Sequence, residues 1–187
     1  MTTATGTRER LIESALHRFA GDGVLATTLE DVRGDAGASV GAVYHHFPDK
    51  QALLDATRER ALTTFQADFA AELERHAGAE EGIKAMVRFL IRWCFRNPDA
   101  ANLLLEGRPR RAEALNRDFF DRVQRWWTPH AHYGVVRDLD FVLVYVIWLG
   151  PALEVTRHAL GGNARRPDRA AIEALAEAAW TGLADER

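Results

Sequence analysis

The sequence predicts an all-α protein of about nine helices, with a small amino-terminal helix-turn-helix domain and a larger helical body. Three observations carry that prediction. Apolar residues recur at helical spacing almost throughout, and no alternating strand pattern competes. Glycines and prolines cut the chain at regular places, as helix stops do. The rings are also unevenly spread. Only Phe19, Tyr44 and Phe47 lie in the first 60 residues, while all five Trp lie beyond, so two units with separate jobs are expected.

The elements follow in order. Leu11, Ile12, Ala15, Leu16 and Phe19 mark an amphipathic helix over about residues 7–20, closed by Gly21 and Gly23. Thr27 or Thr28 caps a short helix that turns Leu29, Val32 and Ala36 inward and stops at Gly37. Ser39 caps another, from Val40 to about Phe47. Pro48 breaks the chain, and Asp49 caps a long helix reaching about His76. Ile83, Val87, Leu90, Ile91 and Cys94 define a helix over residues 80–96, ended by Asn97-Pro98. A short helix over residues 99–106 stops at Gly107. The next spans about residues 109–127, with Leu115, Phe119, Phe120, Val123 and Trp126-Trp127, and ends at Thr128-Pro129. A loop around residues 130–138 precedes a nearly all-apolar helix over residues 139–160, interrupted at Gly150-Pro151. Gly161-Gly162-Asn163 closes it, and a last helix over residues 168–183 buries Ile172, Leu175, Ala176, Ala179 and Trp180. The expected division is a head of residues 1–48 and a body of residues 49–187.

Composition narrows the function. Apolar residues make up 47% and charged residues 27% of 187, which fits a folded chain and excludes a disordered or collagen-like one. A single cysteine, Cys94, leaves no internal disulfide or multi-cysteine zinc site and fits a reducing cytosol. The longest apolar run, from Phe141 to Gly150, is about half of a membrane span, and the first residues lack a signal peptide's apolar core. A cytoplasmic protein without membrane contact is expected. Charge alone argues against nucleic acid: residues 1–60 hold 7 Lys+Arg against 9 Asp+Glu.

A more specific signal overrides that argument. Residues 27–54 read TTLEDVRGDAGASVGAVYHHFPDKQALL, two short helices about a turn at Ala36-Gly37-Ala38. The second helix of such a pair can enter the major groove. With Arg10, Leu11, Ile12, Ala15, Phe19 and the Gly21/Gly23 turn ahead of it, the stretch over residues 8–54 resembles the TetR family of bacterial transcriptional repressors. The matching positions include Thr27-Thr28, Ala36-Gly37, Ser39, Gly41, Tyr44, His46-Phe47, Lys50 and Leu53.

The residues make physical sense beside the resemblance. Ser39 caps the recognition helix, whose amide end can face a phosphate. Gly41 removes a side chain where backbone must approach DNA, and Tyr44 offers a ring to bases and a hydroxyl to phosphate. Lys50 is a point charge suited to a phosphate, and Thr28 is a small hydroxyl at a helix start. His45 lies on the outward side. Each has a plainer alternative: Tyr44 in the core, Thr28 and Ser39 as caps alone. Phe47 belongs to the core, and His46 reads as a packing histidine. There are departures too. Arg33 stands where the family has a small residue, so it either points outward to a phosphate or shifts its helix. Val40 and Ala42 can meet thymine methyls but cannot make bidentate bonds to guanine or adenine. Glu30, Asp31 and Asp35 add local acidity, so DNA binding should be strongly salt-sensitive.

In the body, Phe89, Trp93, Phe119, Phe120, Trp126, Trp127, Tyr145 and Trp148 fall on helices expected to surround one interior. They either line a pocket for a hydrophobic or aromatic effector or fill the core. The polar groups available to such a ligand are His130, Glu154 and His158, with Tyr133, Arg92 and Arg96. Leu153, Leu160, Leu175 and Trp180 are candidates for a homodimer interface, since the resemblance pairs the last two helices into a four-helix bundle. Two heads are also what operator recognition needs, about 34 Å or a multiple apart. Cys94 reads as core. His130 and His132 lack the i, i+4 spacing of a helical metal pair. No cofactor and no catalytic constellation is expected. The resemblance implies a homodimeric repressor of double-stranded operator DNA, in which a small molecule tilts the long helix and moves the heads out of register. The reading from another class is a helical small-molecule-binding or scaffold protein without DNA binding; an enzyme ranks behind both.

Overall fold

The computed structural model describes residues 4–185, and among them the chain forms nine α-helices and one isolated antiparallel bridge, Val136 with Ala184. The helices are α1 (Ala4–Gly21), α2 (Leu29–Asp35), α3 (Val40–His46), α4 (Lys50–Leu73), α5 (Ala79–Arg96), α6 (Pro98–Glu106), α7 (Ala112–His132), α8 (Phe141–Leu160) and α9 (Arg169–Leu183). The chain divides into two compact units. One comprises residues up to Thr64 with Pro98–Glu113, and the other Phe65–Asn97 with residues from Ala114 onward. The compact head thus includes the first part of α4 and all of α6.

The head is built on a small aliphatic core. Leu11, Ile12, Ala15 and Phe19 of α1 meet Val32 and Ala36, Val43 and Phe47, Leu53 and Leu54, and Leu103 of α6. Burying each of the larger side chains is worth roughly 1.5–3 kcal/mol. Helices of seven residues cannot hold themselves, and polar side chains supply what they lack. Arg10 donates to the Ala36 carbonyl (3.1 Å) and Ser14 to that of Val32 (3.3 Å), tying α2 to α1. Arg18 adds a paired contact with Asp35, at 2.6 and 3.0 Å. Gly37, at φ +59°, makes the left-handed turn between α2 and α3 that a Cβ would strain.

The other unit is packed by rings. Phe69 lies against Phe65, Phe89, Phe119 and Trp148, and Trp148 meets both Trp126 and Trp127. Each of three indole N–H groups finds an acceptor: Trp93 on Asp68 (2.9 Å), Trp126 on the His76 carbonyl (2.7 Å) and Trp148 on the Ile83 carbonyl (2.9 Å). A Cβ on Gly82 would run into the Trp126 ring, so only glycine lets that indole rest on α5. Outside the core, Arg88 pairs with Glu173 and Lys84 with Glu177, joining α5 to α9.

Most expected boundaries stand within a few residues. The larger differences lie in the body. α7 starts at Ala112 and runs through Pro129 to His132, so His130 and His132 are helical rather than in a loop. Proline there removes one intrahelical bond, but Tyr133 N–H still closes the turn on the Pro129 carbonyl at 3.1 Å. α8 likewise continues across Gly150-Pro151, and it starts at Phe141, capped by Asp140. α4 ends at Leu73, short of His76.

Candidate nucleic-acid interface

The interface is set by two caps and a turn. Thr28 and Asp31 form a capping box at α2. The Thr28 hydroxyl accepts from Asp31 N–H (3.1 Å), while Thr28 N–H and hydroxyl donate to the Asp31 carboxylate at 2.9 and 2.6 Å. These bonds hold the Asp31 carboxyl below its ordinary range. Ser39 caps α3 by accepting from Ala42 N–H at 3.2 Å. With the start of each helix fixed, helical spacing sorts α3 into two faces. Val43 and Phe47 are buried in the head core. Val40 and Tyr44 stand 55% and 59% exposed, with Gly41 and His45 exposed between and beside them and Ala42 half-buried. Tyr44 is therefore not a core residue. His46 is half-buried against Phe47 and His45.

The acidic and basic residues around this face are occupied with one another. Arg33 pairs with Glu30, and its Nη1 donates to the Ala38 carbonyl at 3.1 Å, so it braces the turn. Asp35 is bound by Arg18, which lowers its pKa, and Asp31 is spent in the cap. The three carboxylates that made the head look hostile to DNA are thus each engaged within it. Lys50 is engaged as well: its ammonium donates to the carbonyls of Val24, Leu25 and Thr27. A local sequence reading had no means of finding those partners.

Of the body residues singled out by sequence, the rings come together and the charged pair does not. Trp93, Trp127 and Trp148 are buried, and Phe89, Phe119, Phe120 and Tyr145 are half-buried, in contact with other rings. Trp126 and His130 face each other, ring centroids 4.6 Å apart, and help line an open cleft of about 430 Å³ with His76, Arg122, Arg125 and Pro129. Burial lowers the His130 pKa, favouring its neutral form. Glu154 and His158 pair with each other at 3.2 Å on the exposed side of α8, apart from these rings. Among the described residues no group of three or more His, Cys, Asp or Glu could hold a metal. Cys94 is buried, and desolvation pushes its thiol up to about 12. Leu153, Leu160, Leu175 and Trp180 are half-buried. The more exposed apolar side chains of α8 are Val142, Leu143 and Val146, which sequence reasoning missed because an all-apolar helix hides which stripe is left over.

A short capped helix presenting an outward face on an all-helical chain defines a helix-turn-helix protein. Residues 11–57, within the head, match the profile of bacterial regulatory proteins of the tetR family. The curated relatives include the transcriptional regulator BetI of Rhizobium meliloti (strain 1021), 30% identical over 59% of this chain and 55% of that one. The transcriptional regulator SrpR of Pseudomonas putida is 34% identical over 45% of this chain and 39% of its own. The chain spans about half, or less, of these relatives' length. Among solved structures, a TetR family transcription regulator from Marinobacter aquaeolei VT8 shares the fold with a TM-score of 0.81 at 20% identity, over 97% of both chains. The fatty acid degradation regulator FadR from Bacillus halodurans does so with a TM-score of 0.74 at 16% identity, over 94% of this chain and 93% of its own.

Proposed function

We propose that this protein is a DNA-binding transcriptional regulator, a homodimeric repressor released from its operator by a small, largely apolar molecule bound in the body. The observation that carries the reading is the outward face of α3, where Val40, Gly41, Tyr44 and His45 stand free of the core on a helix whose start is capped by Ser39. Small and apolar groups there suit close backbone approach and thymine methyls, while Tyr44, Thr28 and Ser39 offer hydroxyls to phosphates. Arg33 and Arg18 offset the charges of Glu30 and Asp35 locally, and Asp31 keeps its charge in the Thr28 cap, so binding through this face should be weak at high salt. One head covers one half-site, so a dimer is required, and the apolar surface left on α8 by Val142, Leu143 and Val146 supports one through the last two helices. Effector binding and DNA binding are then linked: whatever factor the effector takes from operator affinity, the operator takes from effector affinity.

The test is a gel shift with the DNA flanking the protein's own gene, at low and high salt, beside a measurement of mass in solution. A salt-sensitive shift by a dimer is expected. A monomer, or a chain that shifts no DNA at low salt, refutes the reading and leaves a helical binding or scaffold protein.

A further inference from the structure

Lys50 opens α4, and its ammonium reaches a loop 23 to 26 residues earlier, between α1 and α2. It donates to the carbonyl oxygens of Val24 at 2.9 Å, Leu25 at 3.3 Å and Thr27 at 3.0 Å. An ammonium carries three N–H donors and no acceptor, so these carbonyls account for its whole donor set. Val24 packs against the head core, but the Leu25 side chain at the tip is 96% exposed and anchors nothing. Below the tip, the Thr27 amide and hydroxyl both donate to the Gly23 carbonyl, at 3.2 and 2.9 Å. The next residue, Thr28, is the cap that starts α2. Without the cation, three carbonyl dipoles would converge on one point with nothing between them.

We propose that Lys50 serves DNA binding as a positioning residue, holding the 24–27 loop and through it the Thr28 cap and α2, and not by meeting a phosphate. The inference rests on the DNA-binding reading above, and the two roles leave different marks. Deleting a phosphate contact lowers the salt slope of binding by about 0.9. Arginine would replace a phosphate-binding lysine well, because its fork suits phosphate. It would not replace this one, because donors spread along a planar fork do not meet three acceptors gathered around a point.

The experiment uses the full chain as wild type, Lys50→Arg and Lys50→Met, with the gene-flanking DNA titrated between about 50 and 200 mM salt. Amide hydrogen exchange is followed on the free proteins. Both variants should bind about tenfold more weakly at every salt concentration, as loss of charge-assisted bonds predicts, with slopes parallel to wild type. Amides of residues 24–28 should exchange faster in both, while those in the middle of α1 stay protected. Wild-type affinity in Lys50→Arg, a slope shallower by about 0.9 in Lys50→Met, or unchanged exchange over residues 24–28 would each overturn the role. If Lys50→Met does not fold, the comparison of Lys50→Arg with wild type decides alone. Wild-type protein that binds no DNA at any salt concentration sinks the regulator reading itself, and the exchange data on the free proteins tell that failure from a failure of the clamp.

Discussion

In the head, two seven-residue helices carry the candidate site, and side chains from α1 and α4 bond carbonyls in and around them, Arg10 to Ala36, Ser14 to Val32 and Lys50 to Thr27, while Arg33 of α2 bonds Ala38 across the turn. In the body, helices of 15 to 21 residues surround a connected set of rings, and two of the indoles make the bonds to backbone carbonyls. The contrast teaches where each unit can tolerate change. The head fixes its geometry from behind, so the outward face of α3 has no part in stability. The body uses the same aromatic side chains for packing that a ligand would have to meet, so stability and recognition are entangled there.

The comparison breaks most visibly at Trp148, 2% exposed and touching three rings. Trp148→Ala should cost about 3–5 kcal/mol of folding stability by opening a cavity, read as a shift in urea denaturation. A cost under about 1 kcal/mol would mean the rings are not close-packed. Gly82→Ala comes next. Its Cβ would overlap the Trp126 ring, and forcing that side chain aside should cost about 1–3 kcal/mol, measured the same way.

Tyr44→Ala probes the outward face of α3. It should leave unfolding within about 0.5 kcal/mol of wild type, as surface substitutions do. In a gel shift it should weaken DNA binding about tenfold. The smallest effect is expected at Asp31. Its carboxyl is held low by the Thr28 hydroxyl and amide. A depressed carboxyl pKa gives stability that is present above the unfolded value, about 3.9, and is lost as pH falls through the folded one. Thermal melts should therefore show Asp31→Asn less stable than wild type near pH 7, with the gap closing as the pH falls through that range. A gap that persists in acid would assign the loss to the amide's geometry instead.

What was legible in the sequence was local. Thr28, Ser39 and Asp49 each announce a helix within three residues, because a cap bonds an amide two or three positions on. The buried side of α3 was legible at Phe47, whereas spacing alone left Tyr44 open between core and outward face. Pro129 and Pro151 misled because a proline costs a helix one bond, and packing of long apolar helices outweighs that. The partners of Lys50 lie across the fold, and no spacing rule reaches them. Nor could ring count separate a pocket from a core: Phe119 and Trp127 suit either, and only their contacts decide.

The uneven distribution of rings has an optical consequence. All five tryptophans, Trp93, Trp126, Trp127, Trp148 and Trp180, belong to the body, whereas the phenol of Tyr44 is the head's only tyrosine. Light near 295 nm, absorbed by indole and hardly by phenol, therefore interrogates the body alone. A fluorinated tyrosine introduced at every tyrosine position would give three fluorine resonances, of which one reports the head. The two units can then be watched separately in one sample: emission for the body, and for the head the single fluorine signal that DNA should move.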